Sequence, residues 1–361
     1  MADDLARRAD FMDGVWHEQD TTPSDIADAL QELLKQRHDE DEGVAPARVL
    51  NLVVIADREW RGEILNRLER VGRYHPSRLI LCAVERGRTT IDAIATLRME
   101  GDPKPGELAL YHEEVLLDVG EQHLPKMDTI VDPLVVSDLA TVVWSPHKHD
   151  EAVDSLMRLA QVVLIDSEQE PDPATAAARA TELEQLSYVV DLAWLRSTPW
   201  RERVAATFDP ARLRRELGAI SAVTVRHRPD SVVTGLLFCG WLASRLGWDP
   251  GHVVTHDGGL FGRCHGRRQD VEIKLDPDPT MTAPGLAGIT IQTALGTEID
   301  LNRGPGGLSA RRRTKDGRES NWTVLGASRG EAGILGEGIR QALLRDPTYE
   351  PALEVAQAML R

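Results

Sequence analysis

The sequence predicts two domains, an α/β N-terminal domain and an α+β C-terminal domain with a mostly antiparallel sheet. Three observations support this fold class. The chain has 361 residues, which exceeds one ordinary domain. A strand–helix–strand pattern begins at Arg48, and several short strand patterns follow one another between residues 219 and 327. We therefore expect the α/β fold over residues 46–170 and the α+β fold over residues 171–361.

Residues 1–45 precede the first predicted domain. Apolar residues at helical spacing follow Ser24, a residue type that suits an N-cap, and the segment ends in the acidic run HDEDEG. This pattern predicts a helix followed by a linker.

The N-terminal domain begins with the apolar run VLNLVVIA, which is typical of a buried strand. An amphipathic helix with Ile64, Leu65 and Leu68 at core spacing follows, and the run RLILCAV predicts the next strand. Such a unit normally closes into a parallel pair of strands. Further strands are predicted at 92–99, at 107–118 and in ATVVWS, with a helix around 121–131.

A segment rich in proline and acidic residues, LIDSEQEPDPATAAA, predicts a linker into the second domain. Two helical patterns come next, and the second, DLAWLRSTPWRERVAATFD, is interrupted or restarted near Pro199. A strand and a helix then precede a β-rich region, and two helices close the chain. In order, the remaining predicted elements are helix 174–187, strand 219–226, helix 231–246, strands 252–256, 268–275, 287–295, 297–302, 308–314 and 321–327, and helices 331–345 and 350–360.

The composition argues against several classes of protein. With 42 basic and 58 acidic residues the net charge is −16, which repels the phosphate backbone of nucleic acids. The N-terminus has no apolar signal core, and no run of about 18 apolar residues suits a membrane span. The three scattered cysteines, Cys82, Cys239 and Cys264, fit a reducing cytoplasm better than a disulfide framework. We expect a cytoplasmic protein that binds neither nucleic acid nor membrane.

No catalytic, cofactor or metal site is predicted. The first strand-to-helix turn, ADREWRG, has neither the Gly-x-Gly-x-x-Gly pattern of dinucleotide-binding folds nor a phosphate loop. The close histidine pairs, His147 with His149 and His252 with His256, have no third ligand at a persuasive spacing. Nothing in the sequence assembles a nucleophile with its base.

The segment YHPSR is a candidate binding site, because it joins a helix to a strand and offers three polar functions. His75, Ser77 and Arg78 supply an imidazole, a hydroxyl and a guanidinium that could contact an anion or a protein partner. The alternative is a structural turn, in which Pro76 ends the helix and Arg78 flanks a strand on the surface. Both interpretations stay open at this point.

A second candidate lies on the helical stretch from Asp191 to Arg203. Trp194 and Trp200, with Arg196 and Arg201, are residue types that are enriched at interface hot spots. The alternative is a helix in the protein core. We expect one tryptophan to anchor the segment and the other to contact a partner.

Five blocks of the sequence resemble a known family. RVLNLVVIADR, RYHPSRLILCAV, ATVVWSPH, DLAWLRSTPWRERVAATFD and CGWLASRLGW occur in this order in glucose-6-phosphate dehydrogenase assembly proteins, the OpcA family, and the resemblance covers roughly residues 45–361. It implies a non-catalytic protein that associates with glucose-6-phosphate dehydrogenase, activates or assembles it, and so promotes NADPH supply in the oxidative pentose phosphate pathway. The family offers no catalytic residues to transfer to this chain.

A rival hypothesis comes from a different class of protein. A small-molecule enzyme or sugar-phosphate sensor would grip a phosphate with His75, Ser77 and Arg78, so a sugar phosphate is kept as a second expected ligand. An activator shows an effect only with its partner present, whereas a sensor binds its ligand alone.

Overall fold

The computed structural model describes residues 14–40, 45–46, 48–72, 76–99, 110–304, 306–325, 330–342 and 344–361. The chain divides into two compact units, of which unit 1 ends at Ile165 and unit 2 begins at Asp166. The units are described separately below.

Unit 1 combines one large sheet with four helices among its described residues. The helices are α1 (Pro23–Glu40), α2 (Arg61–Gly72), α3 (Met127–Val131) and α4 (Asp150–Leu156). The strands are β1 (Gly14–Glu18), β2 (Ala45–Pro46), β3 (Leu50–Asp57), β4 (Ser77–Glu85), β5 (Asp92–Met99), β6 (Leu110–Gly120), β7 (Ala140–Trp144) and β8 (Val162–Ile165).

The strands of unit 1 lie in the order β1-β5-β6-β4-β3-β7-β8, and β2 pairs with β6. The predicted strand–helix–strand unit is confirmed, since β3 and β4 are parallel neighbours connected by α2. β3 can occupy a central position because its side chains are buried on both faces, with none from Leu50 to Ala56 more than 4% exposed. Asn51, the polar residue of this run, exchanges hydrogen bonds of 2.9 and 3.0 Å with the backbone of Val136.

Unit 2 also combines one large sheet with helices. Its helices are α5 (Pro173–Glu184), α6 (Leu192–Phe208), α7 (Ala211–Leu217), α8 (Val232–Leu246), α9 (Gly330–Ala342) and α10 (Tyr349–Leu360). Its strands are β9 (Tyr188–Asp191), β10 (Ile220–His227), β11 (Asp249–Pro250), β12 (Val254–His256), β13 (Gly259–His265), β14 (Asp270–Pro277), β15 (Leu286–Thr293), β16 (Glu298–Gly304), β17 (Gly307–Arg313) and β18 (Glu319–Leu325).

The large sheet of unit 2 has the order β11-β13-β14-β10-β15-β16-β17-β18, and β12 pairs with β13. Its neighbouring strands are antiparallel except β10 and β14, which are parallel. Helix α8 follows β10 along the chain and packs against both β10 and β14. Such a crossover helix is what a parallel neighbour requires.

The predicted fold class is wrong, because both sheets are mixed. In unit 1, β1 and β5 run antiparallel to their neighbours, so this unit is not a pure α/β sandwich. In unit 2 the sheet is antiparallel-rich, but the parallel β10–β14 pair makes it mixed as well. Strand β1 also lies where only a helix and a linker were predicted. Alternation of apolar residues reveals a strand but not the direction of its neighbour, which explains the error.

Helix α10 closes the core of unit 2. It packs against α5 and α8, where Ala352 and Ala356 are buried. Gly240 of α8 permits this close approach, because a Cβ atom at that position would lie 2.2 Å from the carbonyl oxygen of Ala352. The backbone N–H of Val253 also donates to the carbonyl of Met359 at 2.8 Å. The close packing of α8 against α10 therefore requires a residue without a side chain at position 240.

Within the described ranges, no helix is both long and apolar enough to cross a membrane.

Candidate functional site

The first candidate region is the carboxyl edge of the sheet in unit 1. β3 and β7 are parallel neighbours, while the helix that follows β3 leads to β4 on its other side. The chain thus changes direction across the sheet at β3. In open α/β sheets, ligands bind beyond the carboxyl ends of strands at such a point.

Three side chains meet at this edge of unit 1. The backbone N–H of Asp57 donates to Nδ1 of His147 at 2.9 Å, and Nε2 of His149 lies 3.0 Å from the carboxylate of Asp57. Burial lowers the pKa of His147, and an Nδ1 that accepts a hydrogen bond belongs to a neutral ring with its proton on Nε2. The edge is therefore built around Asp57 and a neutral His147.

The first strand-to-helix turn of unit 1 provides no phosphate cradle. Residues Arg58–Trp60 form a 3-10 turn before α2, and Asp57 carries a negative charge at its start. Arg58 and Arg61 are held by the carboxylate of Asp118, at 3.3 and 2.8 Å. In the part of the chain that the structure describes, no group of three His, Cys, Asp or Glu side chains is arranged to hold a metal.

The YHPSR candidate differs in the structure from the expected exposed loop. His75 lies outside the described residues, and Ser77 is half-buried at the start of β4. Arg78 is buried, and its guanidinium donates to Glu113 at 2.5 Å and to the carbonyl of Leu134 at 2.7 Å. Arg78 and Glu113 are direct cross-strand neighbours on β4 and β6. Arg78 therefore joins two strands, and the surface position expected for it is wrong.

The tryptophans of the second candidate both lie in the interior of unit 2. Helix α6 continues unbroken through Pro199, and Asp191 is its N-cap, accepting from the backbone N–H of Ala193 at 2.9 Å. Trp194 is 2% and Trp200 1% exposed. The expected division into one core and one exposed tryptophan is therefore not seen.

Arg201 and Asp346 fix the position of Trp194. The indole N–H donates to the carboxylate of Asp346 at 2.9 Å, and the guanidinium of Arg201 lies 3.4 Å from the centre of the indole ring. Burial lowers the pKa of Arg201 to about 10. Arg196 and Arg201, the two arginines named as candidates, are buried together with the tryptophans.

Arg196 forms the centre of a buried charge cluster in unit 2. Its guanidinium binds both oxygens of Asp166, at 2.7 and 2.8 Å, and both oxygens of Glu331, at 2.7 and 3.2 Å. The carboxylate of Glu168 lies 3.5 Å away. A bidentate arginine–carboxylate pair is a strong and directional contact, so this cluster holds three segments of unit 2 together.

Two buried carboxyl groups in this part of unit 2 have raised pKa values. Burial raises the pKa of Glu168 to about 7 and that of Asp191 to about 6. Ser231 donates to Glu168 at 2.8 Å, Thr234 donates to it as well, and Ser167 donates to Asp191 at 2.6 Å. Sequence reasoning missed this cluster, because the segment around Glu168 reads as a linker. The signal was a group of acidic residues directly after the buried strand β8.

We expect the change Glu168→Gln to stabilise unit 2 increasingly as pH rises. The folded pKa of about 7 lies above the ordinary value of 4.5, so between these values the native chain holds a proton that the unfolded chain has lost. The contribution of Glu168 to the unfolding free energy is complete below the pKa that this residue has in the unfolded chain. It disappears as pH rises through the pKa of Glu168 in the folded chain. Since glutamine does not ionise, the difference in unfolding free energy should move in favour of the variant from about pH 5 to about pH 8.

Urea denaturation at a series of pH values measures this difference. Glu354→Gln, on the exposed side of α10, is the matched control. A difference between Glu168→Gln and the parent that stays constant with pH would contradict the protonated state of Glu168.

A cavity of about 420 Å³ lies in unit 2 beside Arg196. Its wall consists of one side of α6, the turn between β16 and β17, the backbone around Pro284 and the first turns of α9. Arg196 and Glu331 are part of this wall, so the charge cluster borders the cavity directly. The sequence did not predict this cavity, because the residues that line it come from four separate parts of the chain.

Two family models match this chain. Residues 69–182 match the N-terminal domain and residues 187–353 the C-terminal domain of the glucose-6-phosphate dehydrogenase subunit OpcA. The chain belongs to the OpcA family. The resemblance of the five sequence blocks is therefore confirmed.

Two relatives of this OpcA family member carry the same provisional name. A protein of Synechococcus elongatus, provisionally named OxPP cycle protein OpcA, is 26% identical over 320 residues, which cover 85% of this chain and 67% of that protein. A protein of the same provisional name from Nostoc punctiforme is 28% identical over 180 residues, which cover 48% of this chain and 39% of the relative.

Solved structures are less similar. A provisionally assigned oxidoreductase, yvaA from Bacillus subtilis, is 11% identical and covers 86% of this chain and 95% of its own, with a TM-score of 0.47. A likeness at this level carries no argument about activity.

Proposed function

We propose that this chain is a non-catalytic accessory subunit that binds glucose-6-phosphate dehydrogenase and promotes its activity or assembly. The observation that carries the proposal is the match of both OpcA domain models, which together span most of the sequence and name that dehydrogenase. The name of the Synechococcus relative refers to the OxPP cycle, in agreement with this role.

The carboxyl edge of unit 1 supports a non-catalytic role. A nucleotide bound there would need backbone N–H groups that approach its phosphates through glycines. Asp57 stands at that turn, and Arg58 and Arg61 are already paired with Asp118. The negative charge of Asp57 and the absence of glycine from Asp57–Trp60 both disfavour a pyrophosphate.

The cysteines of the chain also fit a non-catalytic role. All three thiols are buried, and burial raises the pKa of Cys82 to about 12 and that of Cys264 to about 11. Burial likewise raises the pKa of Cys239. A nucleophilic cysteine needs a thiolate, and raised pKa values keep these thiols protonated at neutral pH.

In this proposal, the residues expected to bind the partner contribute indirectly, by holding their own segments in place. Arg78, Trp194, Arg196, Trp200 and Arg201 are buried, so they shape the segments that carry them. The partner would then contact the exposed surface of those segments.

The test is to mix the purified chain with the glucose-6-phosphate dehydrogenase encoded in the same genome. Light scattering after size exclusion should show a complex, and the rate of NADP reduction should rise relative to dehydrogenase mixed with serum albumin. The chain alone should not reduce NADP. Reduction by the isolated chain, or an unchanged dehydrogenase that elutes separately, would refute the proposal.

A further inference from the structure

We infer that the cavity of unit 2 is a binding site for a small organic phosphate of about the size of a sugar phosphate. This inference rests on the proposed function: the ligand of the cavity acts as an effector that regulates the accessory subunit. The site belongs to unit 2, whereas the YHPSR segment, the phosphate site of the rival hypothesis, belongs to unit 1.

The size and the walls of the cavity suit such a ligand. Its volume of about 420 Å³ falls in the range of small-molecule sites, and one inorganic phosphate would fill little of it. Leu195, Pro199, Trp200 and Ile334 supply an apolar surface on α6 and α9. Ligand sites commonly combine such a surface with a few polar groups that fix orientation.

Arg203 supplies the first cation of the cavity wall. Its guanidinium forms no hydrogen bond or ion pair among the described residues, and its Nε is buried without an acceptor. A buried donor without an acceptor costs about 1–3 kcal/mol. The charge of Arg203 is therefore not neutralised by the described part of the protein and is available to an anion in the cavity.

Arg303 supplies a second cation from another element of the wall. Its Nε and Nη2 donate to the carbonyl of Leu286, at 3.2 and 3.1 Å, and these bonds fix the plane of the guanidinium. Arg303 is exposed, so its charge is open to a ligand. A guanidinium in a fixed plane is well prepared for charge-assisted hydrogen bonds to phosphate oxygens.

Two of the three carboxylates in the wall, Glu331 and Glu337, have their own cations, and the third, Glu202, is exposed. Glu331 binds Arg196 at 2.7 Å, and Glu337 binds Arg340, whose Nε lies 3.1 Å from it. Arg196 in turn uses all three of its nitrogens on Asp166 and Glu331. Among the charged residues of the wall, Arg203 and Arg303 therefore remain as the cations available to a ligand in a protein of net charge −16.

The backbone of the wall adds further donors. Gly306 adopts φ 74° in the turn between β16 and β17, a conformation that favours glycine. Gly304, Gly306 and Gly307 bring backbone without side chains to the wall. Helix α9 begins at Gly330 in the same wall, and a helix N-terminus attracts anions. Together with the two arginines, these groups suit a phosphate dianion.

The test is isothermal titration calorimetry on the full chain alone, with glucose 6-phosphate and 3-phosphoglycerate as probes. Glucose and inorganic phosphate are the matched controls. We expect at least one organic phosphate to bind more tightly than either control. Binding of neither probe at millimolar concentration would overturn the site, and binding of inorganic phosphate as tightly as the probes would show an adventitious ion only.

Variants of the two arginines locate the binding. Arg203→Gln and Arg303→Gln should each weaken binding about tenfold or more, the expected effect of losing a hydrogen bond from a charged group. Arg313→Gln, an exposed change on β17, should bind as the parent does. Equal binding by Arg203→Gln and the parent would overturn the assignment.

The stability of Arg203→Gln separates a ligand site from a structural role. Because Nε of Arg203 has no partner among the described residues, the variant should unfold at the same or a higher denaturant concentration than the parent. If the variant were less stable than the parent, Arg203 would be a residue that stabilises the fold and not one that binds a ligand. Since the titration omits the dehydrogenase, a failure to bind overturns this site and leaves the proposed association standing.

Discussion

The change Trp200→Ala is expected to lower the unfolding free energy by about 3–5 kcal/mol, the usual cost of removing a buried aromatic side chain. Trp200 is 1% exposed in the interior of unit 2. Trp194→Ala should cost a similar amount, because Trp194 is 2% exposed and loses its hydrogen bond to Asp346 and its contact with Arg201. Chemical denaturation measures both effects.

The matched control is Trp60→Ala, since Trp60 is 46% exposed. A surface substitution of this kind usually changes stability by less than about 0.5 kcal/mol. If Trp194→Ala or Trp200→Ala kept full stability and lost dehydrogenase binding, the original division into an anchor and a partner contact would be correct after all.

The change Arg196→Met should cost about 3–5 kcal/mol of unfolding free energy, because it leaves buried carboxylates without their cation. Asp166 loses both hydrogen bonds from the guanidinium, and Glu168 loses the positive charge 3.5 Å away. The attraction of Arg196 lowers the pKa of Glu168, so its removal raises that pKa further. The cost should therefore be smallest in acid and grow as pH rises.

Denaturation at several pH values tests this expectation. Arg318→Met serves as the control, because the side chain of Arg318 is 85% exposed and pairs only at the surface. A small and pH-independent effect of Arg196→Met would show that water replaces the guanidinium in the cluster.

Local sequence patterns predicted much of the fold. The run VLNLVVIA is the buried β3, and Ile64 and Leu68 of the following helix are in the core, as their spacing indicated. The predicted helix 231–246 is found as Val232–Leu246. These features depend on residues within a few positions of one another, so a single sequence contains the information.

The directions of strands and the burial of charges could not be predicted in the same way. Arg78 is buried because Glu113, 35 residues later, is its cross-strand neighbour. Arg196 has partners 30 and 135 residues away, Asp166 and Glu331. A single arginine gives no local sign of a distant carboxylate, which is why both residues were expected at the surface. The cavity escaped prediction for the same reason.

The contacts of α10 set an order of events during synthesis on the ribosome. α5 and α8 leave the ribosome well before Tyr349–Leu360, the segment that covers their apolar faces. At about 5–20 residues per second, the delay between α5 and α10 is on the order of ten seconds or more. Unit 1 has all its strands during that time, whereas the interior of unit 2 still lacks one side. The nascent chain therefore carries a folded first unit beside an unfinished second one, and the second is the part that a chaperone would recognise.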